Sequence, residues 1–312
     1  MKFHLPQLVF AVMCAVVLNA TGVCGQDATG REQARVSVAV LDLGETDAGL
    51  RVANELSAAL ARQTTRLGVV NRAQSRAAAR GVGYAGSLNL TLEEARSLGA
   101  SVGCDFYFTG EAQTLRRTST ARGDYFESYA SLFLVSTETG RLVLWEHVNA
   151  ESDAGAADEA EKRLLAHLRE RAARYVDVIT QARAAENAER LASRRADVEA
   201  GAFEELPEEG SPAAVNFRAP QPYRSLRPAY PETAARAAVE ATVDALVAVD
   251  AAGEVKDIEI VRWAGYGLIE AVTATVRQLH FRPAMRDGRP VPVRVLLRYN
   301  FRRPADEAKG KG

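Results

Sequence analysis

Val291-Pro292-Val293-Arg294-Val295-Leu296-Leu297-Arg298-Tyr299-Asn300-Phe301 alternates in polarity along its whole length. One alternate set, Val291, Val293, Val295, Leu297, Tyr299 and Phe301, is apolar throughout. The other, Pro292, Arg294, Leu296, Arg298 and Asn300, is largely polar. A period of two sustained this long marks a β-strand with one buried and one open face. Upstream, Leu268, Ile269, Val272, Val276 and Leu279 recur at helical spacing. Before them, Val239 to Val249 and Val255 to Val261 read as two strands joined by Ala251-Ala252-Gly253-Glu254, where Gly253 supplies the positive φ of a tight hairpin. Asp287-Gly288 turns the chain into the last strand. The order is β-β-α-β over 228–304, with 305–312 as a disordered tail.

Five features stand in order along this module: Tyr230-Pro231, Val239-Glu240-Ala241-Thr242-Val243, the Asp250 to Val255 turn, Phe281-Arg282-Pro283-Ala284 and Gly288-Arg289-Pro290-Val291. Together they resemble the TonB C-terminal domain family. One departure is Ala241, where a glycine is usual. The resemblance implies a periplasmic domain that pairs with an extended peptide, the TonB box of an outer-membrane transporter. Pairing of that kind uses the backbone groups of an exposed strand edge. Val293 to Phe301 is the expected edge, with Arg294, Leu296, Arg298 and Asn300 as partner-binding residues. The alternative for Arg294 and Arg298 is that they keep an edge strand soluble. Tyr230, Pro231, Gly253, Phe281, Pro283 and Gly288 are expected to be structural, with Tyr230 and Pro231 bracing the start of the module.

Toward the N-terminus the composition changes. Six of the chain's 11 prolines, at 207, 212, 220, 222, 228 and 231, lie between Gly201 and Pro231, beside the acidic pairs Glu204-Glu205 and Glu208-Glu209. Such a segment reads as an extended linker with roughly 85 Å of reach at polyproline rise. Ala156 to Ala200 is free of proline and rich in Ala, Glu and Arg, so a single helix of roughly 65 Å is expected. Leu164, Leu165, Leu168, Ala172, Tyr175, Val176 and Ile179 form its apolar stripe. From Ala182 onward the helix reads as solvated, and along its whole length its charges are spaced for i,i+4 pairs such as Glu170 with Arg174 and Glu186 with Arg190, as in a solvated spacer. The helical and proline-containing linker is assigned to 183–227, which would let the last domain act at a distance.

The first domain is assigned to 34–182. Val36, Val38, Val40 and Leu41 read as a strand, and Leu50, Ala53, Leu56, Leu60 and Ala61 as a helix capped by Asp47. Leu67 to Val70 give a second strand, Ala73 to Ala79 a short helix, and Thr91-Leu92-Glu93-Glu94 a capping box. Cys104 to Thr109 follows as a strand, then Tyr125 to Val135 and Leu142 to Val148 as a hairpin around Glu138-Thr139-Gly140-Arg141. The whole chain is therefore α+β: a mixed α/β domain, a long helix and linker, and a β-β-α-β module. Val38 to Leu43, Gly68 to Arg72 and Cys104 to Gly110 resemble the periplasmic domains of curli-type secretion lipoproteins and related flagellar and penicillin-binding-protein activator lipoproteins. The resemblance implies a binding or assembly domain without an active site. The long inserted hairpins of a pore-forming relative are not visible.

Lys2, the apolar run Leu8 to Leu18 and the small residues before Gln26 read as a signal peptide over 1–25, placing the chain in the periplasm. Two alternatives stand beside it: a membrane anchor, for which the apolar run is short, and lipidation at Cys24. Removal of 1–25 leaves Cys104 as the lone cysteine, which excludes an internal disulfide. With 39 basic against 40 acidic residues, no nucleic-acid partner is expected. His147, His167 and His280 stand in no metal or triad pattern, and there is no P-loop, GxGxxG or GxSxG. No enzyme activity, metal or cofactor is expected. The partner is expected to be a protein, either an outer-membrane transporter peptide or a periplasmic envelope protein. A force transducer and a non-transducing envelope adaptor both fit that reading.

Overall fold

The computed structural model describes residues 35–63, 67–121, 123–153, 156–196 and 203–303. The expectations for 1–25 and for 305–312 fall outside these residues. Within them the chain is α+β, and residues from Arg35 onward form one compact unit.

The first lobe is built on a mixed five-stranded sheet in the order β2-β1-β3-β4-β5. Its strands are β1 (Val36–Val40), β2 (Leu67–Val69), β3 (Phe106–Ser119), β4 (Gly123–Ser136) and β5 (Leu142–Asp153). β1 runs parallel to both β2 and β3, and β3, β4 and β5 form an antiparallel meander. The helices are α1 (Asp47–Ala61), α2 (Arg72–Gly81), α3 (Leu92–Val102) and α4 (Ala157–Ala196). α1 is capped by the Thr46 hydroxyl, which accepts from the Gly49 amide, so the cap lies one residue before the expected Asp47. The capping box opening α3 is formed by Thr91 and Glu94 as expected.

β3 and β5 run well past the strands expected at Cys104 to Thr109 and Leu142 to Val148, whereas β4 lies close to the expected Tyr125 to Val135. β3 and β4 pair over their full 14 residues each, from Phe106↔Ser136 to Ser119↔Gly123. Their distal halves carry Arg116, Arg117, Asp124 and Glu127, which pair across the strands. These charge pairs add to a ladder that β5 also supports on the far side of β4, from Tyr125↔Asp153 onward.

α4 presents Leu164, Leu168, Ala172, Tyr175, Val176 and Ile179 to the face formed by Val38, Val40, Phe106, Phe108, Leu132 and Leu134. Tyr175 meets Phe108 edge-on with ring centroids 5.5 Å apart. Docking continues past Ala182, contrary to the solvated-spacer expectation: Arg183 bonds Asp105 and reaches Glu138 at 2.9 Å, and Glu186 is buried. Arg174 pairs with Glu146 on β5 at 2.7 Å, and Arg190 reaches Glu138 at 3.6 Å. Tertiary partners thus replace the i,i+4 pairs expected for both arginines.

The second lobe carries α5 (Glu232–Arg236), β9 (Ala241–Val249), β10 (Val255–Arg262), α6 (Leu268–Val276) and β14 (Val293–Phe301), with β11 (Phe281–Arg282), β12 (Ala284–Arg286) and β13 (Arg289–Val291) between. Short strands β6 (Glu204–Glu205), β7 (Phe217–Arg218) and β8 (Gln221–Pro222) precede it in the chain. Its main sheet has the order β10-β9-β14-β6. α6 covers one face, where Val243, Ala245, Val247 and Val249 meet Leu268, Val272 and Val276.

The linker is where the structure departs most from the sequence reading. Residues 203–222 lie on the second lobe as a strap, adding β6 to β14, β7 to β12 and β8 to β11. Its prolines confine each pairing to two residues without preventing them. The roughly 85 Å reach of an extended linker is therefore absent.

A single apolar cluster runs through both lobes, from Ala39, Leu41, Tyr107, Phe133 and Val135 to Val243, Val247, Trp263, Tyr266, Leu268 and Phe281. Its centre is the loop from Trp263 to Gly267. Trp263 is 1% exposed, and its indole N–H donates to the Gly140 carbonyl at 3.0 Å. Tyr266, held at φ 61°, stacks near Trp145 at 5.1 Å and donates its hydroxyl to Glu111 at 2.7 Å. Gly265 leaves room for two rings: a Cβ there would stand 2.4 Å from Trp145 and 2.6 Å from Phe133, so one of them would have to shift. The Asn89 side chain completes the junction, donating to the carbonyls of Thr242 and Trp263 at 2.7 Å each and accepting from the Thr242 amide at 3.0 Å. The lobes are locked by packing and hydrogen bonds, which removes the freedom expected of a tethered domain.

Candidate strand-edge site

β14 pairs with β9 along its whole length, from Val293↔Val249 to Phe301↔Ala241. On its other side β6 takes only Val293 and Arg294. The expected edge at Val293 to Phe301 is thus shortened: the first two residues are occupied by the chain itself. From Val295 to Phe301 no strand among the described residues lies on that side.

Which backbone groups face the open side follows from two hydrogen bonds. The Glu204 amide donates to the Pro292 carbonyl at 2.9 Å, so Pro292 points away from β9. Alternation along a strand then turns the N–H and C=O groups of Arg294, Leu296, Arg298 and Asn300 to the same side. Independently, the Asp250 amide bonds the Glu254 carbonyl in the β9–β10 turn, which directs even-numbered groups of β9 to β10 and odd-numbered ones to β14. The two phases agree. Leu296, Arg298 and Asn300 therefore offer backbone donors and acceptors that face no strand among the described residues, the template an incoming strand requires.

Their side chains do other work. Arg298 forms a fork onto Asp244, with Nε and an Nη at 2.8 and 2.9 Å from its two carboxylate oxygens. Asp244 is 4% exposed, and Arg262 lies 3.5 Å from it on the opposite side. The Arg298 hydrogen bonds, opposed by burial and assisted by Arg262, hold the Asp244 carboxyl below the usual range. Asn300 accepts from the Thr242 hydroxyl at 2.8 Å, and Arg294 stands 4.0 Å from Glu205. Leu296 is half exposed, at 50%, beside its cross-strand partner Leu246. Of the four partner-binding candidates, Leu296 is the one whose side chain is presented without a polar tether.

The motif residues shape the frame. Tyr230 donates its hydroxyl to the Val239 carbonyl at 2.6 Å and lies 6.2 Å from the Phe301 ring, closing the start of the module onto the end of β14. Pro231 packs beside Gly267. Gly253 has φ 87°, and a Cβ there would collide with the Phe281 carbonyl at 1.9 Å, so turn geometry and close approach both demand glycine. Phe281 is 1% exposed, Pro283 separates β11 from β12, and Asp287-Gly288 turn at φ 48° and 75°. The sequence reading did not find Asp244, Asn89 or Arg286. Each is a polar residue whose role depends on a partner remote in sequence.

Residues 227–302 match the family described as Gram-negative bacterial TonB protein C-terminal. The second lobe is a TonB C-terminal domain. The match covers that lobe and not the first. Among solved structures, the TonB C-terminal domain of Pseudomonas aeruginosa is similar at 18% identity, covering 34% of this chain and 98% of that one, with a TM-score of 0.25. The hypothetical protein CT253 from Chlamydia trachomatis is similar at 12% identity, covering 47% and 98%, with a TM-score of 0.32. Lipoprotein GNA1162 from Neisseria meningitidis gives 10%, 45%, 99% and 0.31. No curated protein matches the chain. The TonB C-terminal family is one of envelope proteins. No helix among the described residues is long and apolar enough to cross a membrane.

Proposed function

We propose that the chain is a periplasmic, non-catalytic adaptor that captures an extended segment of an outer-membrane transporter or other envelope protein on the open edge of β14. The observation carrying this reading is the row of outward backbone groups at Leu296, Arg298 and Asn300, in a TonB C-terminal domain, with no strand opposite them among the described residues. An incoming strand gains main-chain hydrogen bonds there, while Leu296 and Leu246 offer apolar contact on the open face.

The locked lobes favour an adaptor over a force transducer. A transducer reaching across the periplasm needs length and slack between its domains. This chain instead folds its linker onto the second lobe and buries Trp263 in the first. Energy-dependent transport is the second reading, favoured by the family alone.

The test is a titration of the full chain with the periplasmic N-terminal peptide of an outer-membrane transporter from the same cell, using wild type and Leu296→Pro. Proline at 296 deletes one outward N–H and leaves the β9 ladder intact. The proposal expects binding by wild type and at least a tenfold loss in the variant, with unchanged far-UV circular dichroism. Equal binding by both would remove the edge from the account.

A further inference from the structure

The strap at 203–222 shows that the second lobe already holds extended chain by strand addition. We infer that this strap is a latch acting in cis: its β6 end occupies the start of the edge on β14 and is released as a unit when that end is needed. The inference rests on the strand-edge reading of β14 and adds its regulation.

Three features indicate a latch and not a permanent part of the sheet. The first is how little backbone holds it. β6, β7 and β8 each pair over two residues, on three different strands. After Glu205 the chain leaves the edge, turning at Glu208 to Ser211 through Gly210 at φ 79°. The second is that one side chain gathers the strap. Arg286 reaches Glu204 at 2.8 Å, donates to the Ala213 carbonyl at 3.2 Å and lies 5.0 Å over the Phe217 ring. The third is exposure: the Arg286 and Glu204 side chains are 31% and 38% accessible, and those of Arg294 and Glu205 48% and 73%. Ion pairs this open are weak and screened by salt. The strap contrasts with the lobe junction, where Trp263 and Tyr266 are buried.

The consequence is positional. A partner strand confined to Val295–Phe301 lies beyond the strap, whereas one extending to Val293 must displace Glu204 and Glu205. The strap runs parallel to β14, so it also blocks that end against a second copy of the same edge.

Amide hydrogen exchange of the full chain without any partner tests the latch. Arg294 faces the strap, and Val295 and Leu297 face β9. Two variants release the strap by different routes: Glu204→Pro removes the amide that bonds Pro292, and Arg286→Ala removes the gathering side chain without altering the strap backbone. The latch predicts that Arg294 exchange rises about tenfold or more in both variants, and in wild type at 1 M salt, while Val295 and Leu297 keep their protection. Unchanged Arg294 protection in both variants would overturn it. So would a joint loss of protection across β9 and β14, which would make the strap a structural staple. Leu296 has no strap pairing, so the Leu296→Pro titration decides the edge reading separately.

Discussion

At the scale of single residues, the junction rests on side chains that fill the space where the second lobe meets the first. Trp263 removes its ring from water and satisfies its N–H on Gly140. Trp263→Ala is expected to cost about 3–5 kcal/mol, as for a buried aromatic in a packed core, and chemical denaturation followed by circular dichroism measures it. Gly265→Val works the other way, by overfilling: its Cβ would enter the space of Trp145 and Phe133. A loss of about 1–3 kcal/mol is expected. Asp244 adds a pH signature. Its folded pKa lies below the unfolded value of about 4, so its contribution is complete above that pH and is lost as pH falls through the folded value. Asp244→Asn should therefore lower the melting temperature at pH 7 and flatten its decline below about pH 4. A parallel decline in variant and wild type would show that Asp244 is not the group responsible.

At the scale of elements, the phase of β14 makes the sharpest claim. Odd-numbered backbone groups belong to β9 and even-numbered ones to the open side, so adjacent prolines should differ. Leu296→Pro is expected to fold, whereas Leu297→Pro breaks the ladder at about 3 kcal/mol or more. Thermal unfolding of the pair measures the difference, and equal destabilisation would reverse the assigned phase. This strand was legible in the sequence because Val293, Val295, Leu297 and Tyr299 carry a period that only a half-buried strand produces. The apolar stripe of α4 was legible through the 3.6-residue period of a helix. The strap was not. Its prolines and paired glutamates describe a segment that builds no core, and the sequence does not show that Arg286 and the edges of β11, β12 and β14 would supply one from outside. The distal half of β3 escaped likewise, because Arg116 and Arg117 pair with Asp124 and Glu127 across the strands and show no hydrophobic alternation.

At the scale of the whole molecule, the junction changes what the chain can do. Trp263, Tyr266 and Leu268 look like core residues of the second lobe when read alone, and Phe133 and Trp145 like core residues of the first. Only the fold shows that they meet. A partner held on β14 is therefore held at a fixed position relative to the first lobe, and the two lobes act as one body whether or not the strap is in place. Native-state hydrogen exchange over a denaturant series measures this most directly, since it gives an opening free energy and a denaturant slope for each amide. If both lobes open in one event, the slowest amides of β4 and β9 converge on the same free energy and slope. Opening of β9 at a lower free energy and with a smaller slope than β4 would contradict that single event, by showing a second lobe that unfolds while the first stays intact.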